Sequence, residues 1–253
     1  MSTHWLYGIL IAVYGLLLGS FYNLVGTRVP KGESVAAPPS HCDACGARLR
    51  WLDLVPVLSW LALRGRCRWC KEGIPLAYPL VELMTAVFLL LEWLHYGASV
   101  EFVIGAFGVS VFAMLSAADF AYHRLPDAIL LPATAALMVA RAFFHPLGLS
   151  SYLTGAAVGF ALLLLVRIVS RGGMGFGDVK LFLFVGLFVG LAGVVLTLVL
   201  ASFLGTMVGL ILRFSGRLQP KEKMAFGPAI AVSATWTHIY GSYWIAAYLA
   251  TLR

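Results

Sequence analysis

The sequence predicts an all-α fold, a polytopic membrane bundle of about eight transmembrane helices. Only 11% of the 253 residues are charged and 61% are hydrophobic, whereas about a quarter of a soluble domain is charged. Several apolar runs approach or exceed the ~20 residues that a helix needs to cross a bilayer. The first run is not followed by a small-residue cleavage site, so we expect it to be retained as a helix.

Turn and loop signals divide the apolar sequence into spans, which we expect at 4–26, 76–95, 100–118, 126–144, 151–169 and 226–249. As a single helix, the run 179–212 would be about 51 Å long, well beyond the ~30 Å hydrocarbon core. We therefore expect it to reverse near 190–193 and to form two further spans. The predicted organisation is a first transmembrane helix at 1–26, a cytoplasmic loop domain at 27–75 and a membrane-embedded core at 76–253.

The distribution of basic residues predicts the orientation. With the N-terminus outside, all lysines and arginines except Arg141 and Arg253 fall in inner loops or at the inner ends of spans. Short cytoplasmic loops carry such an excess of Lys and Arg. Membrane orientation thus explains the formal net charge of +7. We expect the lipid bilayer as a partner and no nucleic acid.

Two acids stand at the inner ends of apolar runs. Asp119 follows the run 102–118, and Asp178 lies in the glycine-rich stretch 172–180, GGMGFGDVK. Ionisable residues at a membrane are costly, so each is a functional-site hypothesis, and flanking glycines allow close backbone approach. We expect Asp119 and Asp178 to be the catalytic pair of an intramembrane aspartyl protease, supported by Gly175, Gly177, Asp127 and Lys180.

Each aspartate also has a structural alternative. Asp178 would act as the N-cap of span six by accepting a bond from its first turn. Asp127 follows Pro126, which suits the start of a helix, and the helix dipole favours a carboxylate there, so a structural role explains Asp127 better. Asp119 stands at a helix C-terminus, where its alternative is solvation at the interface with Arg124 nearby.

The expected pair suggests a division of labour. Two carboxylates close together do not readily both ionise, so they share a proton. The helix ends favour Asp178 as the ionised base that activates water. Asp119 would be the protonated partner that polarises the scissile carbonyl and later assists the leaving amine. The titration nevertheless belongs to the pair.

All four cysteines lie in the loop, as two C-x2-C knuckles: Cys42 with Cys45, and Cys67 with Cys70. Two such knuckles can present four thiolates tetrahedrally to Zn2+. The alternatives are disulfides or free thiols, but the eight basic residues of the loop predict a cytoplasmic location, where disulfides rarely persist. Four protein ligands leave no open position for a hydrolytic water, so we expect a structural zinc.

The segment 51–60 between the knuckles is apolar for a loop. One interpretation is that it packs on the membrane surface or forms part of a substrate groove. The other is a small hydrophobic core under the zinc. The residues alone leave both open.

Several motifs occur together in a characteristic order. They are GSFYN at 19–23, RVP at 28–30, the two cysteine knuckles, PVLSW at 56–60, YPLVE at 78–82, Asp119 with LPD at 125–127, GFGDVK at 175–180 and FGP at 226–228. In this order they resemble the type IV prepilin peptidases of bacteria, also called prepilin leader peptidase/N-methyltransferases, which are GxGD-type intramembrane aspartyl proteases. The link 119–124 departs from the pattern, because relatives often carry a second acid there.

The resemblance implies that the family's catalytic aspartates fall on Asp119 and Asp178. It implies substrates that are type IV prepilins or type II secretion pseudopilins, cut at the cytoplasmic face of the bacterial inner membrane. It also implies N-methylation of the new N-terminus with S-adenosylmethionine, associated with the cysteine loop. Glu82 would then pair with a basic loop residue or line the methyl-transfer site. We expect Glu92 and His95 at the outer interface.

Two other functional classes compete with this hypothesis. A proton-coupled membrane transporter would use the aspartates to carry protons, but its acids would lie deep within the spans. A zinc-bearing assembly scaffold would perform no chemistry. The aspartates cluster at one membrane face beside glycine turns, which favours the peptidase.

Overall fold

A computed structural model describes residues 2–171, 173–216 and 224–251. Over these ranges the chain forms eight α-helices and no β-strand, so the all-α prediction is confirmed. The helices are α1 (Ser2–Arg28), α2 (Leu58–Ala62), α3 (Ala77–Tyr96), α4 (Val100–Tyr122), α5 (Asp127–Phe143), α6 (Leu149–Val169), α7 (Phe176–Phe214) and α8 (Gly227–Thr251). Some sequence predictions concern residues outside the described ranges, namely Gly172, Arg217, Lys221, Lys223 and Arg253.

Within the described ranges, five helical segments are long and apolar enough to cross a membrane: Trp5–Lys31, Ala77–Tyr96, Val100–Tyr122, Leu149–Val169 and Phe176–Phe214. The predicted multi-span membrane bundle is therefore confirmed. Helix α5 has 17 residues with Pro132 inside it, and α8 has 25 residues. The number of crossings stays a prediction.

Helix α7 is broken at Gly190, whose backbone has φ 74° and ψ −179°. Two groups twelve residues apart on α7, Phe182 O and Val194 Cγ1, lie 3.0 and 3.2 Å from where a Cβ on Gly159 would stand. In one straight helix they would be about 18 Å apart. The chain therefore reverses at Gly190, in agreement with the prediction for 190–193. We call the arms 176–189 and 191–214 α7a and α7b.

Glycines set the register of α1 against α3 and α4. A Cβ on Gly19 would lie 2.6 Å from Glu82 Cα, and a Cβ on Gly26 would lie 3.0 Å from Ala118 N. Small residues that allow such close backbone contact are typical of helix interfaces in membranes. Gly19 of α1 therefore lies level with Glu82 of α3, and Gly26 lies level with Ala118 at the end of α4.

The buried side chain of Arg141 holds the broken end of α7a. It donates to Leu187 O at 3.2 Å, to Phe188 O at 2.9 Å and to Glu101 Oε1 at 2.7 Å. The break at Gly190 leaves the last carbonyl oxygens of α7a without intrahelical partners. Arg141 supplies two of the missing donors, and Glu101 compensates its charge.

Glu92 belongs to the same end of the bundle. It is fully buried, and its carboxylate lies 3.0 Å from His238 Nδ1. Nε2 of His238 lies 3.3 Å from Glu101 Oε2. The prediction that Glu92 sits at the outer interface is wrong, because α8 brings a histidine against it; His95, by contrast, is exposed.

The loop segment 51–60 has only one large side chain packed within the loop. Trp60 donates from Nε1 to Ile74 O at 3.0 Å, and its ring lies against Gly65. A small core in the loop therefore accounts for Trp60. The other large apolar side chains nearby are exposed: Trp51, Leu52, Leu54, Leu58 and Leu61.

Candidate functional site

Asp119 stands in the last turn of α4 and is buried. The helix ends three residues later at Tyr122, where His123 takes a left-handed conformation and its N–H caps Asp119 O at 2.9 Å. The side chain points toward the start of α8, where the backbone N–H of Gly227 donates to Oδ2 at 2.8 Å. Asp119 is therefore held by a backbone donor rather than solvated beside Arg124.

Asp178 is the third residue of α7, and Gly175 is the residue before that helix. Asp178 is therefore not the N-cap of this helix, and the N-cap alternative is wrong. The carboxylate folds back toward Gly175, where an added Cβ would lie 3.1 Å from Oδ2. A Cβ on Gly177 would lie 3.0 Å from Leu125 Cβ, so this glycine allows the start of α7 to approach the α4–α5 link.

Asp119 and Asp178 line one cavity of about 460 Å³. The other lining residues come from 29–30, from the α4–α5 link and from the start of α7: Val29, Pro30, His123, Arg124, Leu125, Pro126, Asp127, Ala128, Gly175, Phe176, Gly177 and Lys180. The structure thus brings the two predicted aspartates and their four predicted supporting residues around a single space.

Asp127 opens α5 directly after Pro126. It forms an ion pair with Lys180 of α7, with Nζ 2.7 Å from Oδ2. The Asp127 side chain is half exposed, and the pair crosses the mouth of the cavity. This geometry agrees with a structural role that joins two helix starts.

The sequence reasoning from charge and spacing missed the backbone donor of Gly227. Main-chain N–H groups leave no residue-type signal of their own. The only pointer to this donor in the sequence was the FGP motif at 226–228. That motif was part of the family resemblance, but no function was assigned to it.

The four cysteine sulfur atoms converge within 4.8 Å of one another. A tetrahedral zinc with Zn–S bonds of about 2.3 Å requires S···S separations of about 3.8 Å, and Cys42 Sγ lies 3.7 Å from Cys70 Sγ. The four residues therefore fit a tetrahedral metal ion. They carry no disulfide.

The two knuckles have the same backbone design. Cys42 N–H donates to Ala47 O at 3.0 Å, and Cys67 N–H donates to Glu72 O at 2.8 Å. In each knuckle the carbonyl of the first cysteine accepts a bond from a residue four positions later. These turns aim both thiols of a knuckle at a common point, as a metal ion requires.

The thiols of the second knuckle differ in acidity. Backbone N–H groups of Cys70 and Trp69 lower the pKa of the Cys67 thiol to about 7. The N–H of Glu72 acts in the same sense on Cys70, but burial and neighbouring thiols raise its pKa to about 12. Four thiolates so close together need a cation between them.

The fold and these two sites define a class: a helical, multi-pass membrane protein with a carboxylate-lined cavity and a loop that can hold a metal ion. Residues 13–96 match the Bacterial Peptidase A24 N-terminal domain, and residues 106–210 match the Type IV leader peptidase family. The chain belongs to the prepilin leader peptidase/N-methyltransferase family.

Three relatives with the name "Prepilin leader peptidase/N-methyltransferase" support this assignment. The protein of Bacillus subtilis is 32% identical over 95% of this chain and 97% of its own length. That of Myxococcus xanthus is 35% identical over 91% and 72%, and that of Pseudomonas putida is 34% identical over 92% and 90%. No solved structure matches the chain.

Proposed function

We propose that the protein is an aspartic endopeptidase that removes the leader peptide of type IV prepilins or type II secretion pseudopilins. Asp119 and Asp178 are the catalytic residues. The observation that carries the proposal is that two carboxylates from different helices, 59 positions apart in the chain, line one cavity. The family membership and the names of the relatives supply the substrate class.

The reaction uses one ionised and one protonated carboxyl group. The ionised group takes a proton from water while the water oxygen bonds to the scissile carbonyl carbon, and the protonated group gives its proton to the carbonyl oxygen. The C–N bond then breaks. A hydroxyl proton returns to the newly ionised carboxylate, Asp119 in the expected division, which in this way assists departure of the amine. The other carboxyl group protonates the amine, which restores the pair.

A backbone donor supports this chemistry by fixing one member of the pair. The N–H group of Gly227 orients the Asp119 carboxylate, and catalysis depends on such positioning. The expected division, with Asp178 ionised and Asp119 protonated, stays a prediction because the proton belongs to the pair.

The basic residues support an orientation with the cavity at the cytoplasmic face of the bacterial inner membrane and a periplasmic N-terminus. The loop and the two aspartates then share one face. The mouth of the cavity contains Lys180, Arg124 and Asp127, so a polar peptide can reach it from water.

We propose that the metal held by Cys42, Cys45, Cys67 and Cys70 is a structural Zn2+. Four thiolate ligands complete its coordination and leave no position for water. The four cysteines would supply all the ligands, and the ion would hold the two knuckles together.

S-adenosylmethionine is the methyl donor that the relatives' name implies. A cavity of about 310 Å³ lies between α3, α4, α7b and α8, and its lining is overwhelmingly apolar. It offers no charged partner for an amino-acid group or a sulfonium, so it does not fit this cofactor. We derive no methyl-transfer step from it.

The experiment uses purified protein in nanodiscs with a synthetic prepilin peptide, and follows leader removal by mass. We expect Asp119→Asn and Asp178→Asn each to abolish cleavage while the helical circular dichroism and bound zinc stay at wild-type level. Cleavage at the wild-type rate by either variant refutes the pair. Proton flux into vesicles without any peptide cleavage would instead support the transporter.

A further inference from the structure

The apolar loop segment is joined to a transmembrane helix by a buried contact. The backbone N–H of Val57, just before α2, donates to Glu82 Oε2 at 2.7 Å. Glu82 lies inside α3 and is itself buried. Of the two alternatives for Glu82, the ion pair with a basic loop residue is not formed, because the carboxylate accepts from a main-chain amide instead; a place in the methyl-transfer site stays a prediction.

This contact fixes the depth of α2. Glu82 is five residues inside α3, or about 7.5 Å along the helix axis. Gly19 contacts Glu82, and Gly26, seven residues later in α1, is level with Ala118. The Glu82 backbone is therefore about 10 Å further from the loop end of the bundle than Ala118, and the start of α2 is bonded to it through the Glu82 side chain.

Main-chain N–H groups around the start of α2 have partners within the protein. Besides the Val57–Glu82 bond, the N–H groups of Leu58, Ser59, Leu61 and Leu63 all donate to nearby carbonyls. Non-helical backbone at membrane depth is tolerated where it is packed against protein and bonded in this way. Pro56, the residue before Val57, is also buried.

The side chains on the outer face are apolar and exposed. Leu58 is 65% exposed, Leu61 58% and Trp51 75%. In water such a cluster of large apolar groups would be unfavourable. No described part of the protein covers these side chains, and α3, to which Glu82 belongs, is long and apolar enough to cross a membrane.

The backbone at Val57 indicates that the segment is held in place by tertiary contacts. Its φ of 60° is an outlier for a β-branched residue. Such a conformation persists only when the surroundings hold it, and the bond to Glu82 is the contact that does so.

Basic residues flank the apolar segment in sequence on both sides. Arg48, Arg50, Arg64 and Arg66 are all exposed. Exposed cationic side chains suit the phosphates of anionic lipids, since each Lys or Arg near such a surface adds favourable binding energy. Exposed apolar side chains combined with basic ones are typical of interfacial segments.

We propose that residues 51–62 form a membrane wedge that inserts into the cytoplasmic leaflet beside α1 and α3. Leu58 and Leu61 contact acyl chains, Trp51 lies at the interface, and the arginines bind lipid phosphates. Glu82 anchors the wedge. The assignment to the cytoplasmic leaflet rests on the proposed orientation, whereas the insertion itself depends only on the bond to α3.

The test uses the wild-type protein in vesicles of phosphatidylethanolamine and phosphatidylglycerol that contain a phospholipid with a diazirine near the acyl-chain end. After illumination, labelled residues are located by peptide mass spectrometry. We expect label on Leu58 and Leu61 as strong as on Leu17 and Leu80, which are exposed on spanning helices, and none on Lys71. If Leu17 and Leu80 are labelled but Leu58 and Leu61 are not, the proposal is wrong.

A matched pair of variants tests the anchor. Glu82→Gln keeps an oxygen that accepts the Val57 N–H, and we expect unchanged label on Leu58. Glu82→Leu removes the acceptor, and label on Leu58 should be lost while label on Leu17 and the bound zinc persist. Equal loss in both variants, or in neither, contradicts the anchoring role.

Peptide cleavage is measured separately on the same samples. A protein with labelled Leu58 that fails to cleave a prepilin peptide would refute the proposed peptidase and leave the wedge intact. Suppression of the Leu58 label by added prepilin peptide, with the spanning residues still labelled, would show instead that the segment is a substrate groove, and the lipid proposal would be wrong.

Discussion

The backbone N–H of Gly227 donates to Asp119 Oδ2 at 2.8 Å. This bond joins the first residue of α8 to the last turn of α4 across 108 positions of sequence. The site needs glycine here, because a Cβ at 227 would lie 2.9 Å from the carboxylate oxygen and 3.3 Å from Leu125 Cδ2. The closeness of α8 to Asp119 thus depends on the missing side chain.

Gly227→Ala should displace the Asp119 carboxylate and reduce kcat/KM for a prepilin peptide by up to about 100-fold, because small misplacements of reacting groups are costly. Steady-state cleavage in nanodiscs measures it. Gly73→Ala is the control, since a Cβ there meets nothing within 4 Å. Equal rates for both variants would contradict the positioning role.

Cys42→Ser should remove the metal, because three thiolates bind Zn2+ much more weakly than four. Elemental analysis of the purified protein is expected to find one zinc per wild-type chain and none in the variant. Peptide cleavage should persist if the metal is structural. Loss of cleavage with the transmembrane fold intact would indicate a catalytic metal.

The Lys180–Asp127 ion pair is half exposed at the mouth of the cavity. Such pairs contribute about 0–1 kcal/mol, so Asp127→Asn and Lys180→Met should each reduce kcat/KM by no more than about fivefold. The double variant should have about the same kcat/KM as either single variant, because one substitution is enough to break the pair. A loss from Asp127→Asn as large as that from Asp119→Asn would assign Asp127 to the chemistry.

Arg141→Leu should destabilise the bundle by about 3–5 kcal/mol, the cost of breaking a buried pair on one side. It leaves His238 as the remaining partner of the Glu101 charge and leaves two carbonyls of α7a unsatisfied. Thermal unfolding in detergent measures the effect. The exposed Arg48→Leu is the control, and Glu101→Gln added to Arg141→Leu should recover part of the loss.

The sequence by itself determined the class of fold and the chemistry-bearing residues. Long apolar runs can satisfy their backbone in a bilayer only as helices or closed barrels, so hydropathy alone places the helices close to their observed bounds. The glycine at 190 marked the reversal of α7 because the run was too long for one span. The spacing of Cys42, Cys45, Cys67 and Cys70 indicated their cluster, because a knuckle is a local structure.

Only the tertiary structure decided which groups face one another. Glu92 was expected at an interface and is buried against His238, 146 positions away. A basic side chain was one of two alternatives considered for Glu82, which instead accepts from the Val57 amide, while Asp119 accepts from Gly227. These partners come from different helices, and each contact depends on helix register and on close approach at glycine. Hydropathy and motif spacing describe one segment at a time, so they carry no record of such packing.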